Sequence, residues 1–196
     1  MSESADDNAD DAVTKTPVVP EIEPKPVVYL AGAVQDHPDP VGWREDVIDR
    51  FGDRVAFKNP LGRYECAPDE LTVLPGHRDG GDTTTVGVAD IVETDKELLD
   101  DSDAVLVGYE RSHGSVGTPM EALYAYERDL PVALCIQDDT MHHEIPAWYR
   151  YHATAQVSAP RLALRHLCLE VQRNRADTGA DTDTGTDTNV SDGGGD

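Results

Sequence analysis

Basic residues are scarce in this chain. Lys and Arg number 16 in 196 residues against 39 Asp and Glu, a formal charge of −23. No basic stripe exists to neutralise a run of phosphates, which argues against a general nucleic-acid binder. A small anionic ligand is not excluded, because a few oriented backbone N–H groups hold one phosphate whatever the net charge. Cysteine is sparse too. Cys66, Cys135 and Cys168 are far apart and odd in number, so no disulfide framework or zinc spacing emerges, as suits a reducing interior. No window reaches 18 apolar residues, and the opening MSESADDNAD has neither a basic segment nor an apolar run. A soluble, cytoplasmic protein without a membrane partner is expected. Also missing are GxGxxG, a lysine-ended phosphate loop and HExxH. The seven histidines include the adjacent His142 and His143 but show no metal-ligand spacing, so neither metal nor cofactor is expected.

What is abundant is acid, and not only at the ends. Residues 27–173 hold 26 acidic and 13 basic residues, a formal −13. Carboxylates spread this evenly keep a protein hydrated in high salt, where screening removes much of their mutual repulsion. The composition resembles that of proteins from halophilic archaea. An ordinary acidic protein with interaction tails is the alternative. Residues 1–25 (polar, acidic, proline-punctuated) and 175–196 (an Asp/Thr/Gly repeat) read as disordered tails. Residues 26–174 then form one domain with its own core.

Within it, apolar runs and punctuation alternate between strand and helix. Strands are predicted at Pro26–Val34, Val55–Lys58, Ala104–Tyr109, Leu130–Ile136 and, at an edge, Thr154–Ser158. Helices are predicted at Pro40–Gly52, through most of ADIVETDKELLDDSD, at 119–128 and at Pro160–Asn174. Asp100, Asp101 and Asp103 are expected to face solvent. Residues 61–89 lack periodicity and read as a long excursion over the sheet. The order implies a small, doubly wound, mainly parallel five-stranded α/β sheet with its site outside the strand carboxyl ends.

The stretch Asp95–Cys135 carries the candidate chemistry. Thr118 is a plausible N-cap, with Pro119 at the first helical position and Glu121 three residues after the cap. A carboxylate in that first turn is stabilised as an anion by the helix dipole and available as a nucleophile. A capping-box Glu without chemistry fits the position equally. Asp95, before the central strand, is either a second carboxyl group acting as general acid or an N-cap for KELL. The loop Ser112–Gly117, with Ser115, Gly117 and Thr118, could cradle a phosphate or be a plain turn. Tyr29, Trp43, Arg44, Tyr64 and Tyr149 could surround a base, although Trp43 and Trp148 fit ordinary core or interface positions. Gly32 and Asn59, at the ends of the first two strands, complete the candidate binding set.

These pieces resemble the nucleoside 2-deoxyribosyltransferase superfamily, which also contains nucleoside 5′-monophosphate N-glycosidases. The resemblance rests on VYLAGAV with the following GWRE, on ETDKELLDDSDAVLV, and on SVGTPMEALYA followed by PVALCI, spread over 27–173. It implies a flavodoxin-like fold and dimers or higher oligomers whose sites borrow residues from a neighbour. Trp148–Tyr149–Tyr151 is the candidate contact surface here, with core packing as the alternative. It also implies that Glu121 attacks C1′ of the sugar while Asp95 helps protonate the leaving base. The glycosyl ester is then resolved by another base or by water, as in retaining glycoside hydrolysis.

One departure bears on substrate. Transferases of this group carry an Asp six residues before the nucleophile, whereas this chain has Ser115, as the monophosphate N-glycosidases do. In those enzymes the serine helps hold the 5′-phosphate, which an Asp would repel. The expected function is cleavage or exchange of the N-glycosidic bond of a nucleoside or its 5′-monophosphate. A non-catalytic nucleotide-binding module on the same fold is the alternative.

Overall fold

The structure is a computed structural model and describes residues 18–34, 37–64, 66–74 and 84–180. The predicted tail segments 1–17 and 181–196 lie outside the described residues, as do parts of the 61–89 excursion. The main sheet comprises β1 (Val27–Gly32), β2 (Ala56–Lys58), β5 (Ala104–Tyr109), β6 (Val132–Ile136) and β7 (Ala155–Val157). Its order is β2-β1-β5-β6-β7, with every pairing parallel. This is the doubly wound arrangement expected. Helices α1 (Gly42–Phe51), α2 (Val88–Asp100), α3 (Gly117–Tyr126), α4 (Ala147–His152) and α5 (Pro160–Ala180) cover its faces.

The two-residue side-chain period of the strands divides the core. Val28, Leu30, Ala104 and Leu106 pack with Val47 of α1 and with Ala163, Leu164 and Leu167 of α5. Tyr29, Ala31, Val105 and Val107 face the opposite way, toward Leu99 of α2, Ala122 and Ala125 of α3 and Tyr149 of α4. Central strands buried on both faces read as continuous apolar runs, which is why AVLVGY and VALCI are unambiguous in sequence.

Three expectations need correction. The excursion contains a small parallel pair, β3 (Thr72–Leu74) with β4 (Thr85–Gly87), too short to show a period. The tail bounds also move. Val19 and Ile22 are buried in the core, and α5 continues to Ala180. Arg175, assigned to the C-terminal tail by composition, lies inside α5 and pairs with Asp103 at 3.0 Å. Asp103 is accordingly no solvent-facing residue, since it also accepts the Val27 N–H at 2.8 Å where β1 begins. No helix among the described residues is long and apolar enough to cross a membrane.

Candidate active site

Because Tyr29 points to the α3 face, its hydroxyl reaches Glu121 and donates to Oε1 at 2.7 Å. Glu121 is the fifth residue of α3, two positions further in than the capping pattern implies. Val116 holds the cap position without a side-chain bond, and Ser115 Oγ accepts the Thr118 N–H at 3.2 Å. Thr118 is therefore not the N-cap. It is buried in the first turn, and its Oγ1 makes no hydrogen bond of good geometry. Burial pushes the Glu121 carboxyl up to about 7, opposed by the Tyr29 hydrogen bond and Arg44 and reinforced by Asp95. Desolvation thus outweighs the dipole effect expected from sequence.

Arg44 is fully buried behind this carboxyl. Its guanidinium donates to the carbonyls of Gly32 at 3.0 Å and Leu30 at 3.4 Å, and to that of Pro40. It lies 4.6 Å from the centre of the Trp43 ring. A side chain on Gly32 would come within 2.9 Å of Trp43 Cζ2, and one on Gly108 within 2.8 Å. Glycine at the carboxyl ends of β1 and β5 is thus what lets the indole lie across the sheet. Trp43, Arg44, Gly32 and Tyr29 line neither cavity described below. They build the floor under Glu121 rather than a wall for a ligand.

Asp95 lies inside α2 and caps nothing. Its Oδ1 is 3.5 Å from Arg63 Nη2, an ion pair without hydrogen-bond geometry: Asp95 Oδ1 and Arg63 Nη1 are both buried and unpartnered. Burial raises the Asp95 carboxyl above its ordinary range, with Arg63 and Arg44 opposing. Asn59 is bound up in local structure. Its Oδ1 accepts the Leu61 N–H at 3.1 Å and caps the Pro60–Arg63 turn that delivers Arg63 to Asp95. Tyr64 receives a 2.6 Å hydrogen bond from Arg63 and lies under its guanidinium. Sequence reasoning missed Arg63. The available signal was its place just beyond the carboxyl end of β2.

Two cavities meet at Met120. The smaller, about 290 Å³, lies between α2 and α3 and is walled by Asp95, Glu121, Gly117, Leu99 and Tyr124. The larger, about 500 Å³, opens beyond β5 and holds Ser115, Thr118, Arg111, His113 and Tyr149. The carboxyl pair and the loop hydroxyls are therefore on adjoining cavities. Tyr149 is turned inward, and burial followed by the Glu121 charge raises its hydroxyl well above the usual range. Its neighbours Trp148 and Tyr151 are exposed.

A further cluster escapes linear spacing because it joins two strand ends. His37, Glu110 and His113 converge beside the larger cleft. Adjacent β1 and β5 end just before these residues.

No family model matches the chain, and no curated protein matches it. Among solved structures it is similar to a 2-deoxyribosyltransferase from Bacillus psychrosaccharolyticus, with 17% identity over 68% of this chain and 87% of that one, TM-score 0.49. A conserved protein from Enterococcus faecalis V583 shares 14% identity over 76% of this chain and 99% of its own, TM-score 0.49. A molybdenum cofactor binding protein from Rippkaea orientalis shares 16% over 79% and 99%, TM-score 0.46.

Proposed function

We propose that this protein cleaves the N-glycosidic bond of a nucleoside 5′-monophosphate, or of the nucleoside, through a glycosyl ester on Glu121. The observation that carries the reading is the partly buried Glu121, hydrogen-bonded to Tyr29 at 2.7 Å and electrostatically coupled to a second partly buried carboxyl, Asp95. With Oε1 engaged by Tyr29, Oε2 is the attacking atom. It bonds to C1′ as the C1′–N bond breaks, and the departing base takes its proton from Asp95. Water, or a second base, then attacks C1′, passes its proton to the Asp95 carboxylate and breaks the C1′–Oε2 bond, which releases the Glu121 carboxylate. A raised Asp95 suits proton donation, and a Glu121 near 7 supplies the anion in a useful fraction of molecules at neutral pH. Tyr29 and Arg44 act as positioning residues.

The base occupies the cavity between α2 and α3, and a 5′-phosphate reaches past Met120 to the Ser115–Gly117 loop. Ser115 Oγ accepts the Thr118 N–H, so its own proton remains available to a phosphate oxygen. Exposed Trp148 and Tyr151 beside the cleft support assembly of copies through that face.

The test is incubation in molar KCl with nucleosides and their 5′-monophosphates, with and without a second free base, followed by chromatography. Base release from a monophosphate without acceptor is expected. Exchange that requires the acceptor would make the protein a transferase. Binding without either product would identify a nucleotide-binding module.

A further inference from the structure

We infer that His37, Glu110 and His113 form a binding site for one divalent transition-metal ion at the edge of the larger cleft. Glu110 directly follows β5, His113 lies in the turn after it, and His37 belongs to the segment after β1. Their pairing follows from the parallel register of these two strands. The carboxylate spans both rings. His37 Nε2 lies 3.5 Å from Glu110 Oε1, and His113 Nδ1 lies 2.7 Å from Oε2. The donor atoms of all three residues fall within 4.8 Å of one another. Bonds of about 2.0–2.1 Å in a tetrahedral site place ligand atoms roughly 3.4 Å apart. The three donors already stand close to that spacing and need only draw together around an ion.

The side chains pack against one another rather than straying over the surface. The His37 side chain is only 8% exposed, and the two rings stand 4.8 Å apart at 55°. Two imidazoles facing each other across one carboxylate supply neutral nitrogen donors and a single compensating charge. That donor set suits Zn²⁺, Co²⁺ or Fe²⁺ and disfavours Mg²⁺ and Ca²⁺, which prefer all-oxygen shells. Three protein ligands leave a tetrahedral position open. Glu110 and His113 both line the cleft, so the ion borders the space that Ser115 also borders. The strongly acidic chain favours a cation there as well.

One hydrogen bond opposes loading. Asp39 N–H donates to His37 Nδ1 at 3.0 Å, which leaves the ring proton on Nε2. For Nε2 to bind an ion that proton moves to Nδ1, and the Asp39 amide turns to water, which its exposed position allows. His113 only transfers its proton from Nδ1 to Nε2 and exchanges its 3.1 Å contact with Ser112 Oγ. The inference uses none of the residues assigned to glycosidic cleavage and does not depend on that reading.

The full chain, stripped with chelator and held in molar KCl to suppress ions loosely held by surface carboxylates, is titrated with Zn²⁺ against a chromophoric chelator and with Co²⁺ by visible absorption. One ion per chain is expected, with intense tetrahedral Co²⁺ bands and a Zn²⁺-dependent rise in thermal midpoint. His37→Gln, Glu110→Gln and His113→Gln should each weaken binding at least about tenfold and abolish that rise, with far-UV circular dichroism confirming the fold. Unchanged affinity in the histidine variants would overturn the assignment. Weak octahedral Co²⁺ absorption by the wild-type protein would do so as well, even if a variant fails to fold.

Discussion

The Tyr29 hydroxyl donates to Glu121 Oε1 at 2.7 Å across 92 residues of sequence and ties β1 to α3. Tyr29 is completely buried, and burial with the nearby carboxylates lifts its hydroxyl far above the usual range. It therefore stays a donor at any working pH and favours the anionic form of Glu121. Burial favours the neutral form, and the balance settles near 7. The Tyr29 hydroxyl is thus the main counterweight to burial in setting how much of Glu121 is ionised.

Tyr29→Phe should leave the packing almost unchanged and remove only this stabilisation. A hydrogen bond to a charged group contributes about 1.5–3 kcal/mol, equivalent to roughly one to two pH units. The acidic limb of the kcat/KM profile should move to higher pH by about that amount, with activity at pH 7 down about tenfold or more. A profile of unchanged shape would show that Tyr29 does not control the ionisation of Glu121.

The same burial makes a stability prediction. Glu121 titrates at the ordinary Glu value of 4.5 when exposed and near 7 when folded. Below 4.5 both states are protonated and the group is neutral to stability. Between 4.5 and 7 the folded state holds a proton the unfolded state has released, so stability falls as pH rises. Above 7 the loss is complete, up to about 3 kcal/mol. Glu121→Gln should therefore be more stable than wild type at pH 8 and nearly equal to it at pH 4.5, by urea denaturation. It should also lose turnover to below about a thousandth of the wild-type rate. An equal stability difference at both pH values would refute the buried-carboxylate account.

Much of this site was legible in sequence, but by type of residue rather than by partner. Glu121 stood out from the GTPMEAL segment, and its helix and flanking strands were readable because buried parallel strands are uniformly apolar. Its partner Tyr29 could be suspected only as an aromatic residue. The contact depends on which face of β1 it takes, and a run apolar on both faces does not reveal that. Arg44, in GWRE, reads from sequence as a group beside a bound base. Its burial follows from three backbone carbonyls that only the folded chain brings together. The Arg63–Asp95 pair was hidden because Arg63 lies in a segment without periodicity. Composition set the ends too tightly, since the polar stretch around Arg175 is helical through tertiary contacts to Asp103 and Pro24.

Gly32→Ala tests the packing of the floor. The new methyl would meet Trp43 Cζ2 at 2.9 Å, the Gly108 carbonyl at 3.1 Å and Arg44 Nη2 at 3.3 Å. The carbonyl belongs to the neighbouring strand and cannot withdraw, and the indole is held beneath a guanidinium. Overpacking of this kind costs about 1–3 kcal/mol. The urea midpoint should fall accordingly, with activity falling because Arg44 sits behind Glu121. A wild-type midpoint would mean that Trp43 has another seat available.

Ser115→Asp separates phosphate recognition from the chemistry. Ser115 caps the first turn of α3 by accepting the Thr118 N–H, and an aspartate can accept the same bond. The fold and the Tyr29–Glu121 contact should therefore survive. The added charge would lie where the 5′-phosphate is proposed to sit, and like charges in contact cost several kcal/mol. Apparent affinity for 5′-monophosphates should drop at least about tenfold relative to the matching nucleosides, while kcat on nucleosides stays within about twofold. Salt should soften the discrimination only partly, because Ser115 is partly buried and screening acts mainly on exposed charges. Equal losses for nucleotide and nucleoside would instead place the phosphate elsewhere and leave Ser115 as a helix cap alone.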